Sequence, residues 1–425
     1  MSKLQPVRGT HDILPQEAAR RRALEASLAG VCALYGYGEI ATPVFEFSDV
    51  FHRTLGDSSD VVTKETYSFT DRGGESLTLR PEFTAGVVRA LISNGLQEQL
   101  PFKVWYHGAA FRYERPQKGR LRQFHQFGAE CLGLADPLAD VQMMAMASQA
   151  LAAIGVRSAA TLEINSLGDK ESRANYRTAL VDYFNDHRPS LSDDSKMRLE
   201  KNPLRILDSK DEADRKIIAG APDAKSSFTQ QASEFFAEVT ESLAALSIPY
   251  SLNPRLVRGL DYYSHTVFEF VTDKLGAQGT VLAGGRYDGL VAMMGGQDIA
   301  GVGFAAGMER LLALQEALQV AAQVPERRLV AVVPVEEAQE RAGLALAQEL
   351  RQQGIACELI TRGNMGKKMK RAEKSGAHAV LILGESELQT GRIVLKTLAD
   401  GRQESVDRSA LINILHQTGF PALRG

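Results

Sequence analysis

Five basic residues fall within eleven positions of a 425-residue chain whose formal net charge is −3: Arg112, Arg115, Lys118, Arg120 and Arg122. A guanidinium group holds a phosphate through two parallel hydrogen bonds, so arginines at this density suit an anionic ligand. Because the chain as a whole is slightly acidic, we expect a local anion site and not a surface that is basic throughout.

The residues around this cluster alternate in the way that a β-hairpin requires. If the chain is extended here, Arg112 and Glu114 share one face of a strand, and Phe124, Gln126 and Glu130 share one face of the returning strand. A face that carries charges, an amide and an aromatic ring is a binding surface, because uncompensated buried charge is costly. Nucleotide and nucleic acid both fit. The alternative is a solvated loop whose basic residues only favour solubility.

Two more arginines have positions that suggest a ligand. Arg310 falls in the first turn of a predicted helix, where the helix dipole favours an acidic residue, so we expect it to bind a ligand. Arg258 either forms a structural ion pair with Asp261 or reaches a ligand. The glycines of GVGFAAG, residues 301–307, mark either close backbone packing or the floor of a ligand site. Without a βαβ unit they are not a dinucleotide fingerprint.

Several common kinds of site are not indicated by the sequence. It contains no GxxxxGK[ST] phosphate loop, no GxSxG and no HExxH, and its three cysteines form no CxxC pair. We predict no metal site, since four of the histidines lack metal-ligand spacing: His11, His52, His107 and His125. No apolar run approaches the roughly 18 to 20 residues that span a bilayer, and the N-terminus lacks an apolar targeting region, so we expect no membrane partner and a cytoplasmic location.

The elements that must carry these residues can be predicted from periodicity. An amphipathic helix should follow Pro15 and end near Gly36, and a strand should cover residues 39–47. Pro43 would confine that strand to a sheet edge or an interface. Residues 101–114 and 122–133 should form a long antiparallel hairpin with a charged tip.

The rest of the chain divides into regions of different character. Residues from about 168 to 247 are charged and helical, and we interpret them as an insertion in a domain that spans residues 1–324. Residues 281–291, VLAGGRYDGLV, should contain a glycine-rich turn. A linker at 325–328 precedes residues 329–425, where strands and helices alternate as βαβαβ with further strand, which is typical of a small α/β domain.

The order of these motifs resembles a known family. FRYE, then a loop with Arg120 and Phe124, then GVGFAAGMER, are similar to the second and third signature motifs of class II aminoacyl-tRNA synthetases. The helix and strand ending at Pro43 resemble the first. Four further segments resemble those of the histidyl-tRNA synthetase family: RGTHDILP (8–15), TLRPEFT (78–84), LVRGLDYYSH (256–265) and AGGRYDGL (283–290).

The resemblance implies a fold and a reaction. The fold is an α+β catalytic domain with an antiparallel six-stranded sheet, a helical insertion and a C-terminal α/β anticodon-binding domain, in a homodimer with Pro43 at the interface. The reaction uses ATP, with Mg²⁺ on the pyrophosphate side, to convert L-histidine to histidyl-adenylate. Histidine is then transferred to the 3′ end of tRNA(His).

For ATP, the resemblance implies five contacts. Arg112 would hold the α-phosphate and Arg120 the γ-phosphate, while Glu114 would bind the adenine amino group. The two faces of the adenine would be covered by Phe124 and Arg310.

For histidine, the resemblance implies seven residues besides Arg112: Glu82, Thr84, Gln126, Glu130, Arg258, Tyr262 and Tyr263. The first three would bind the α-amino group and its surroundings. Glu130 and Tyr263 would bracket the imidazole, with Tyr262 beside them. Arg258 would reach the α-phosphate and the carboxylate, which makes Arg112 and Arg258 the expected catalytic residues. A carboxylate and a phenol read both ring nitrogens of a neutral imidazole.

For tRNA, the resemblance implies two basic surfaces. The hairpin tip, with Gln117, Lys118 and Arg122, would meet the acceptor end. The second surface would bind the anticodon stem and loop, and its residues are Lys367, Lys368, Lys370 and Arg371. The alternative for this second group is a solvated helix face.

Two rival functions share the expected fold. A synthetase-like regulatory subunit of ATP phosphoribosyltransferase would sense histidine without catalysis, but such relatives typically lack the anticodon domain and lose phosphate-binding residues. Arg112, Arg120, Arg310 and residues 329–425 are all present here. A synthetase for another amino acid is the second rival, and the segment RGLDYY argues against it.

Overall fold

A computed structural model describes residues 4–55, 65–117, 119–209, 211–257, 262–276, 279–320, 324 and 328–420. The chain forms two compact units, Met1–Val324 and Pro325–Gly425. Within the stretches just given, no helix combines the length and the apolar character needed to cross a membrane.

The first unit combines strands and helices. Its strands are β1 (Gly38–Glu39), β2 (Phe45–Phe47), β3 (Tyr67–Thr70), β4 (Ser76–Leu79), β5 (Phe102–Phe111), β6 (Gln123–Leu132), β7 (Thr161–Ser166), β8 (Ser251–Leu252), β9 (Ser264–Val271), β10 (Thr280–Arg286) and β11 (Gly301–Gly307). Its α-helices are α1 (Pro15–Leu34), α2 (Ser48–Leu55), α3 (Thr84–Ser93), α4 (Pro137–Ala153), α5 (Lys170–Asp186), α6 (Asp193–Lys201), α7 (Glu212–Ile218), α8 (Gln230–Ala245), α9 (Leu290–Met293) and α10 (Met308–Ala317).

The main sheet differs from the predicted one. It has eight strands in the order β1-β5-β6-β11-β10-β9-β7-β8, and it is mixed. The inner six strands pair antiparallel, but β1 and β8 add to the two edges in parallel. The prediction of an antiparallel six-stranded sheet was therefore wrong in strand number and direction, because edge strands of two residues leave no periodic pattern in a sequence.

The predicted strand at residues 39–47 is also wrong. The chain instead contributes β1 to the main sheet and β2 to a second sheet with the order β2-β4-β3. Pro43 lies between these two strands, where its missing N–H removes no ladder hydrogen bond. Arg80 fixes the connection by donating from Nη1 to the carbonyl oxygens of Thr42 and Pro43, at 2.7 and 3.3 Å.

The long hairpin is confirmed, but its strands are shorter than predicted. β5 and β6 pair from Phe102 with Leu132 to Phe111 with Gln123. One more backbone bond follows, from the Arg112 N–H to the Arg122 carbonyl at 2.9 Å. Arg112 and Glu114 therefore lie just beyond the strand, and the prediction that they share a strand face was wrong.

The two faces of β6 lie in different surroundings. Phe127, Ala129 and Cys131 pack into a large apolar core with α1, α4, α8 and α10. The alternate residues, including Gln126 and Glu130, point to the other face, as the period of two requires. A second cluster on that face contains aromatic side chains and α3, so β6 separates a helix-covered core from a polar, aromatic surface.

Residues 168–247 are helical, as predicted, and contain α5 to α8 together with short 3-10 helices. The link between α5 and α7 is organised by the buried carboxylate of Asp214. It accepts hydrogen bonds from the Ser192 N–H and from three serine hydroxyls, those of Ser192, Ser195 and Ser209. Burial alone would raise the pKa of Asp214, but these donors lower it to about 2.

The glycine-rich turn predicted within residues 281–291 is present, but it is shorter than that stretch. Residues 283–286 belong to β10, which is hydrogen-bonded to strands on both sides, and only residues 287–289 connect it to α9. Glycines are needed in this buried strand, because a Cβ on Gly284 would overlap the Phe268 ring and a Cβ on Gly285 would overlap the Tyr263 ring.

The second unit has the predicted alternation. Its elements are β12 (Leu329–Pro334), α11 (Glu340–Gln352), β13 (Cys357–Leu359), α12 (Met365–Lys374), β14 (Ala377–Leu383), α13 (Glu385–Thr390), β15 (Arg392–Thr397), β16 (Gln403–Asp407) and α14 (Leu411–Gln417). The sheet order is β13-β12-β14-β15-β16, in which the first three strands are parallel and the last two antiparallel.

Candidate active site

A cleft of ≈ 390 Å³ opens at the end of β6 near the hairpin tip. All five residues that the sequence assigned to ATP line this cleft, together with Gln126: Arg112, Glu114, Arg120, Phe124 and Arg310. β10, β11 and the start of α10 supply the remaining walls. Residues 112 and 310 are far apart in sequence and meet only because β11 pairs with β6.

The arginines of the hairpin are held by neighbouring carboxylate and carbonyl groups. Arg112 Nε donates to the Pro81 carbonyl at 3.0 Å, and its guanidinium lies 5.3 Å from the centre of the Phe124 ring. Arg120 Nη1 is 3.2 Å from Glu114 Oε2, and Arg112 Nη1 is 4.0 Å from Glu114 Oε1. One carboxylate therefore lies between two guanidinium groups, which keeps both in the cleft before any anion binds.

Arg310 reaches the cleft from the first turn of α10. Its Nη1 donates to the Thr280 carbonyl at 2.8 Å and its Nε to the Gly119 carbonyl at 3.4 Å. Burial lowers the pKa of Arg310, and the nearby positive charge of Arg120 acts in the same direction. An added anion would relieve this repulsion, which is the chemistry expected of a phosphate or nucleotide site.

The residue beside Arg310 anchors α10 to β6. The Glu309 carboxylate accepts the His125 N–H at 3.0 Å and lies 3.0 Å from Arg21 Nη1 and from His125 Nδ1. Burial alone would raise the pKa of Glu309, but the His125 hydrogen bonds and the Arg21 charge lower it. Arg21, on α1, in turn pairs with Glu17 at 2.9 Å. This network was not predicted, because nothing in the sequence links α1 to α10.

Further along β6, Glu130 occupies a buried pocket. Its side chain accepts hydrogen bonds from Thr84, Tyr106 and Tyr287, and the residue is only 1% exposed. Burial raises the pKa of Glu130 to about 7. The strand pairing makes room for this arrangement, because a Cβ on the opposing Gly303 would overlap Glu130 Oε2.

A second glycine provides space for one of these tyrosines. Tyr106 lies directly opposite Gly128, and a side chain at Gly128 would overlap the Tyr106 ring and hydroxyl. The ring therefore crosses Gly128 and stacks on Phe83 with centroids 4.4 Å apart. The sequence left two interpretations open for the glycines of GVGFAAG, close backbone packing or the floor of a ligand site. Gly303 is an example of close packing, and the group packed against it is the Glu130 carboxylate of the pocket.

Glu82 and Thr84 lie at the start of α3, beside Glu130. The Glu82 carboxylate accepts the N–H groups of Thr84 and Ala85 at 2.6 and 2.9 Å, which satisfies two free donors of the first helical turn. Burial raises the pKa of Glu82. Gln126 lies nearby on the same face of β6 as Glu130, and its Oε1 is buried without a hydrogen-bond partner among the described residues.

The tyrosines assigned to histidine are buried in the same aromatic cluster as Tyr106. The rings of Tyr262 and Tyr263 lie 4.8 Å apart, and Tyr262 meets Tyr287 edge to face at 5.8 Å. Tyr287 belongs to the segment AGGRYDGL, but the sequence assigned no role to it. Tyr106 was not predicted, because only the strand register reveals its position. Arg258 lies outside the described residues, so its catalytic and histidine-binding roles stay predictions.

The residues assigned to tRNA are spread over both units. At the hairpin tip, Gln117 and Arg120 exchange two backbone hydrogen bonds, and the Arg122 guanidinium stacks 3.9 Å from the centre of the Tyr113 ring. Lys118 lies outside the described residues. Tyr113 is itself 53% exposed, so the tip presents an aromatic ring backed by a cation.

On α12 of the second unit, Lys367, Lys370 and Arg371 are exposed, but Lys368 is not. Lys368 is 2% exposed and its Nζ donates to the carbonyls of Pro334 and Val335 at 2.7 and 3.3 Å. The sequence therefore placed Lys368 on the basic surface incorrectly, because a lysine in the first turn of a basic helix gives no sign of pointing inward. In the described part of the chain, no group of three or more His, Cys, Asp and Glu side chains could hold a metal ion.

Comparison with known proteins agrees with this architecture. A family model described as histidyl-tRNA synthetase matches residues 9–168 and 197–311, and one described as anticodon binding domain matches residues 329–418. A histidine--tRNA ligase from Rhodospirillum rubrum is 55% identical over 98% of this chain and 99% of its own length, and one from Gluconacetobacter diazotrophicus is 52% identical over 97% and 98%.

A solved structure is similar over the same length. The crystal structure of apo S. aureus histidyl-tRNA synthetase superposes with a TM-score of 0.83 at 33% identity and covers 97% of this chain and 99% of that chain. Sequence and fold thus agree over nearly the whole chain, including the motifs that supply the cleft and the pocket. The chain belongs to the histidyl-tRNA synthetase family.

Proposed function

We propose that this chain activates L-histidine with ATP and transfers the histidine to the 3′ end of tRNA(His). The observation that carries the proposal is that β6 borders two sites on one face. Phe124 lines an arginine-rich cleft, and Glu130 lies in a dry polar pocket roughly 20 Å further along the strand. A strand that borders both sites can bring a triphosphate and an amino acid to the same reaction centre.

In this proposal the cleft binds ATP. Arg112 contacts the α-phosphate, Arg120 the γ-phosphate and Glu114 the adenine amino group, with Phe124 and Arg310 on the two faces of the ring. The shared carboxylate of Glu114 supports these roles, because it can release Arg120 to a phosphate and remain charge-balanced by Arg112. Phe124 offers an apolar ring face, which suits a purine.

The pocket binds histidine. Gln126 Oε1 is a buried acceptor that an ammonium group would satisfy, and Glu82 is assigned to the same group from the resemblance. Thr84 belongs to this part of the pocket. Glu130 and Tyr263 read the two ring nitrogens, with Tyr262 against them. A buried polar pair of this kind rejects amino acids that leave either partner unpaired.

The chemistry needs positioning more than proton transfer. The histidine carboxylate attacks the α-phosphorus in line and pyrophosphate leaves, so the enzyme must align the two groups and neutralise charge. Arg112 and Arg258 are the residues proposed for that role, the latter from the resemblance alone. Mg²⁺, when bound, would neutralise the pyrophosphate oxygens, and the Glu269 carboxylate that lines the cleft is a suitable oxygen ligand for it.

Histidine-dependent exchange of labelled pyrophosphate into ATP tests the first half of the proposal. We expect exchange with histidine and none with the other amino acids. Exchange that depends on a different amino acid would identify a different synthetase, and the absence of any exchange would favour the regulatory alternative. The match of residues 329–418 to an anticodon-binding domain is the finding that supports the ligase over a regulator.

The second unit is proposed to bind the anticodon stem and loop. The exposed side chains of Lys367, Lys370 and Arg371 on α12 supply the positive charge that phosphate contacts need. Gln117, Lys118 and Arg122 at the hairpin tip are proposed to meet the acceptor end. Removal of residues 326–425 should preserve histidine activation and weaken tRNA charging. Undiminished charging by the shortened chain would contradict the anticodon assignment.

We also propose a homodimer formed through the small sheet. β2 has its apolar side chains outside: Phe45 and Phe47 are 52% and 57% exposed, and Phe69 on β3 is 45% exposed. The residue between the first two, Glu46, points inward and pairs with Arg89 at 2.6 Å. A strand that turns its phenylalanines to solvent and a glutamate inward needs a partner surface, and a second copy supplies one.

Light scattering on purified protein tests the dimer. Wild type should have twice the chain mass, and a double variant with Phe47→Asp and Phe69→Asp should have the mass of one chain. Leu246→Asp, at an exposed leucine on the end of α8, is the matched control and should remain dimeric. A cytoplasmic location is part of the same proposal, because tRNA charging takes place there.

A further inference from the structure

Three hydroxyl groups converge on one carboxylate in the pocket. Glu130 Oε1 accepts from Thr84 Oγ1 at 2.6 Å and from the Tyr106 hydroxyl at 3.1 Å, and Glu130 Oε2 accepts from the Tyr287 hydroxyl at 2.5 Å. The three donors come from separate elements, namely the start of α3, β5 and the connection after β10. Because three separate elements each direct a hydroxyl to this carboxylate, its position and orientation in the pocket are fixed.

The number of acceptor positions limits what else can bind. An ionised carboxylate offers about four lone-pair positions, two on each oxygen. Thr84 and Tyr106 fill both positions on Oε1, and Tyr287 fills one on Oε2. At 1% exposure Glu130 has almost no contact with bulk water, and the three donors among the described residues leave one position on Oε2 for a ligand.

Burial and the three hydroxyls act in opposite directions on the pKa of Glu130. Burial raises the pKa of both Tyr106 and Tyr287 well above the ordinary range, so these phenols stay protonated and donate. Burial likewise raises the pKa of Glu130, while its hydrogen bonds from the hydroxyls oppose that rise. Other titratable groups that influence Glu130 are Glu82, whose charge raises its pKa further, and Tyr262 and Tyr37.

We propose that Tyr287 is a positioning residue for amino-acid recognition. Together with Thr84 and Tyr106 it holds the Glu130 carboxylate so that, as far as the described residues go, one acceptor position on Oε2 stays open for a ligand N–H. The identity of that ligand as histidine rests on the proposed function. A side chain without an N–H at this point would leave a buried anion with an unpaired acceptor and would be rejected.

Tyr287→Phe tests the inference, since it removes the hydroxyl and keeps the ring. Histidine binding is measured by calorimetry from pH 6 to 9, with pyrophosphate exchange in parallel. We expect the Kd and KM for histidine to rise roughly tenfold, because a hydrogen bond to a charged group is lost. The KM for ATP should not change. The acid limb of histidine binding should move up by about one pH unit, because the ionised form of Glu130 has lost a donor.

The control is Tyr176→Phe, another buried tyrosine, whose hydroxyl donates to the Pro222 carbonyl at 3.2 Å far from the sheet. It should leave the Kd and the pH profile unchanged. If Tyr287→Phe does not fold, two substitutions at Thr84 test the inference in its place. Thr84→Ser keeps a hydroxyl and should retain the wild-type acid limb of histidine binding, whereas Thr84→Val removes the hydroxyl and should move that limb to higher pH.

The possible results separate the inference from the proposed function. A weaker Kd without a shift of the acid limb would mean that Tyr287 only packs in the pocket, and an unchanged Kd would equally overturn the proposal. Wild-type protein that binds histidine but exchanges no pyrophosphate would refute the proposed reaction and leave the inference standing. Wild type that binds no histidine would overturn both.

Discussion

The buried pocket around Glu130 and the arginine-rich cleft, which we propose for histidine and ATP, lie on the same face of β6, but they are built differently. In the pocket, Glu130 is buried and its carboxylate receives three hydroxyl hydrogen bonds. In the cleft, the side chains of Arg112 and Arg120 are 25% and 37% exposed, and both lie beside the single carboxylate of Glu114. One site buries its carboxylate and holds it by three hydrogen bonds, whereas the other gathers charge in contact with solvent.

The difference follows from what each ligand requires. A triphosphate carries several charges, so guanidinium groups can hold it strongly even where water reaches them. A neutral imidazole is distinguished from other side chains by one hydrogen-bond donor and one acceptor. This difference produces selectivity only in a buried site, because there a pocket group that the wrong amino acid leaves unpaired cannot bond to water instead. Recognition of the amino acid therefore needs the dry site, and we expect mutations to have their largest effects there.

The largest expected effect is that of Glu130→Gln. The amide keeps the shape of the side chain but directs an NH₂ group toward hydroxyl donors and removes the charge. We expect kcat/KM for histidine to fall by a factor on the order of 10⁴ with the KM for ATP unchanged, as measured by pyrophosphate exchange. Glu163→Gln, at a β7 carboxylate that accepts from Asn253, is the control. A decrease no larger than the control's would remove the contrast between pocket and cleft.

Arg112→Lys should have the next largest effect. The lysine keeps the charge but loses the forked geometry and the contact with Phe124, so kcat for exchange should fall by about 10² to 10³. Arg115→Lys, an exposed residue of the same hairpin, should retain wild-type exchange. If the two variants have equal kcat, the cleft needs only charge at this position.

Arg21→Gln should act on the cleft alone. It removes a cation that fixes Glu309, and thereby weakens the hold on the first turn of α10 where Arg310 lies. We expect the KM for ATP to rise roughly tenfold, the effect of losing a hydrogen bond to a charged group. Histidine binding by calorimetry should be unchanged. Arg22→Gln, which alters the exposed neighbour on α1, is the control, and an equal effect of both variants would contradict the network's role.

The smallest effect on catalysis is expected at Asp214, which belongs to neither site. Asp214→Asn should lower the free energy of unfolding by about 3 kcal/mol, because four donors lose an ionised acceptor, while exchange at 25 °C stays unchanged. Since the pKa of Asp214 is lowered from 3.8 to about 2, its stabilising contribution is complete above the unfolded-state value and is lost as the pH falls through about 2. Thermal unfolding should therefore give a lower Tm for Asp214→Asn than for wild type at pH 7, and similar Tm values for the two proteins at pH 2. A loss of exchange would connect this region to the sites.

Much of the candidate site could be predicted because its residue types are unusual where they occur. Clustered arginines are unusual in a chain of negative net charge, and this predicted a ligand site at Arg112 and Arg120. An arginine is also unusual in the first turn of a helix, which predicted the same for Arg310. The structure places all three side chains in one cleft. Their roles toward ATP remain predictions. Lys368 shows the limit of such reasoning, because it is basic like its neighbours on α12 but its side chain is buried.

By itself, the sequence determined most of the helices, the hairpin and the alternation along β6, because hydrophobic period and charge are local properties of the chain, but it did not determine the short edge strands. Only the tertiary structure decided which strand lies beside which. Pairing β6 with β5 and β11 set Tyr106 across Gly128 and Glu130 against Gly303. The pocket depends on side chains from segments distant in sequence meeting at spacings of a few ångströms, and such contacts follow from strand register and burial, which no single segment encodes.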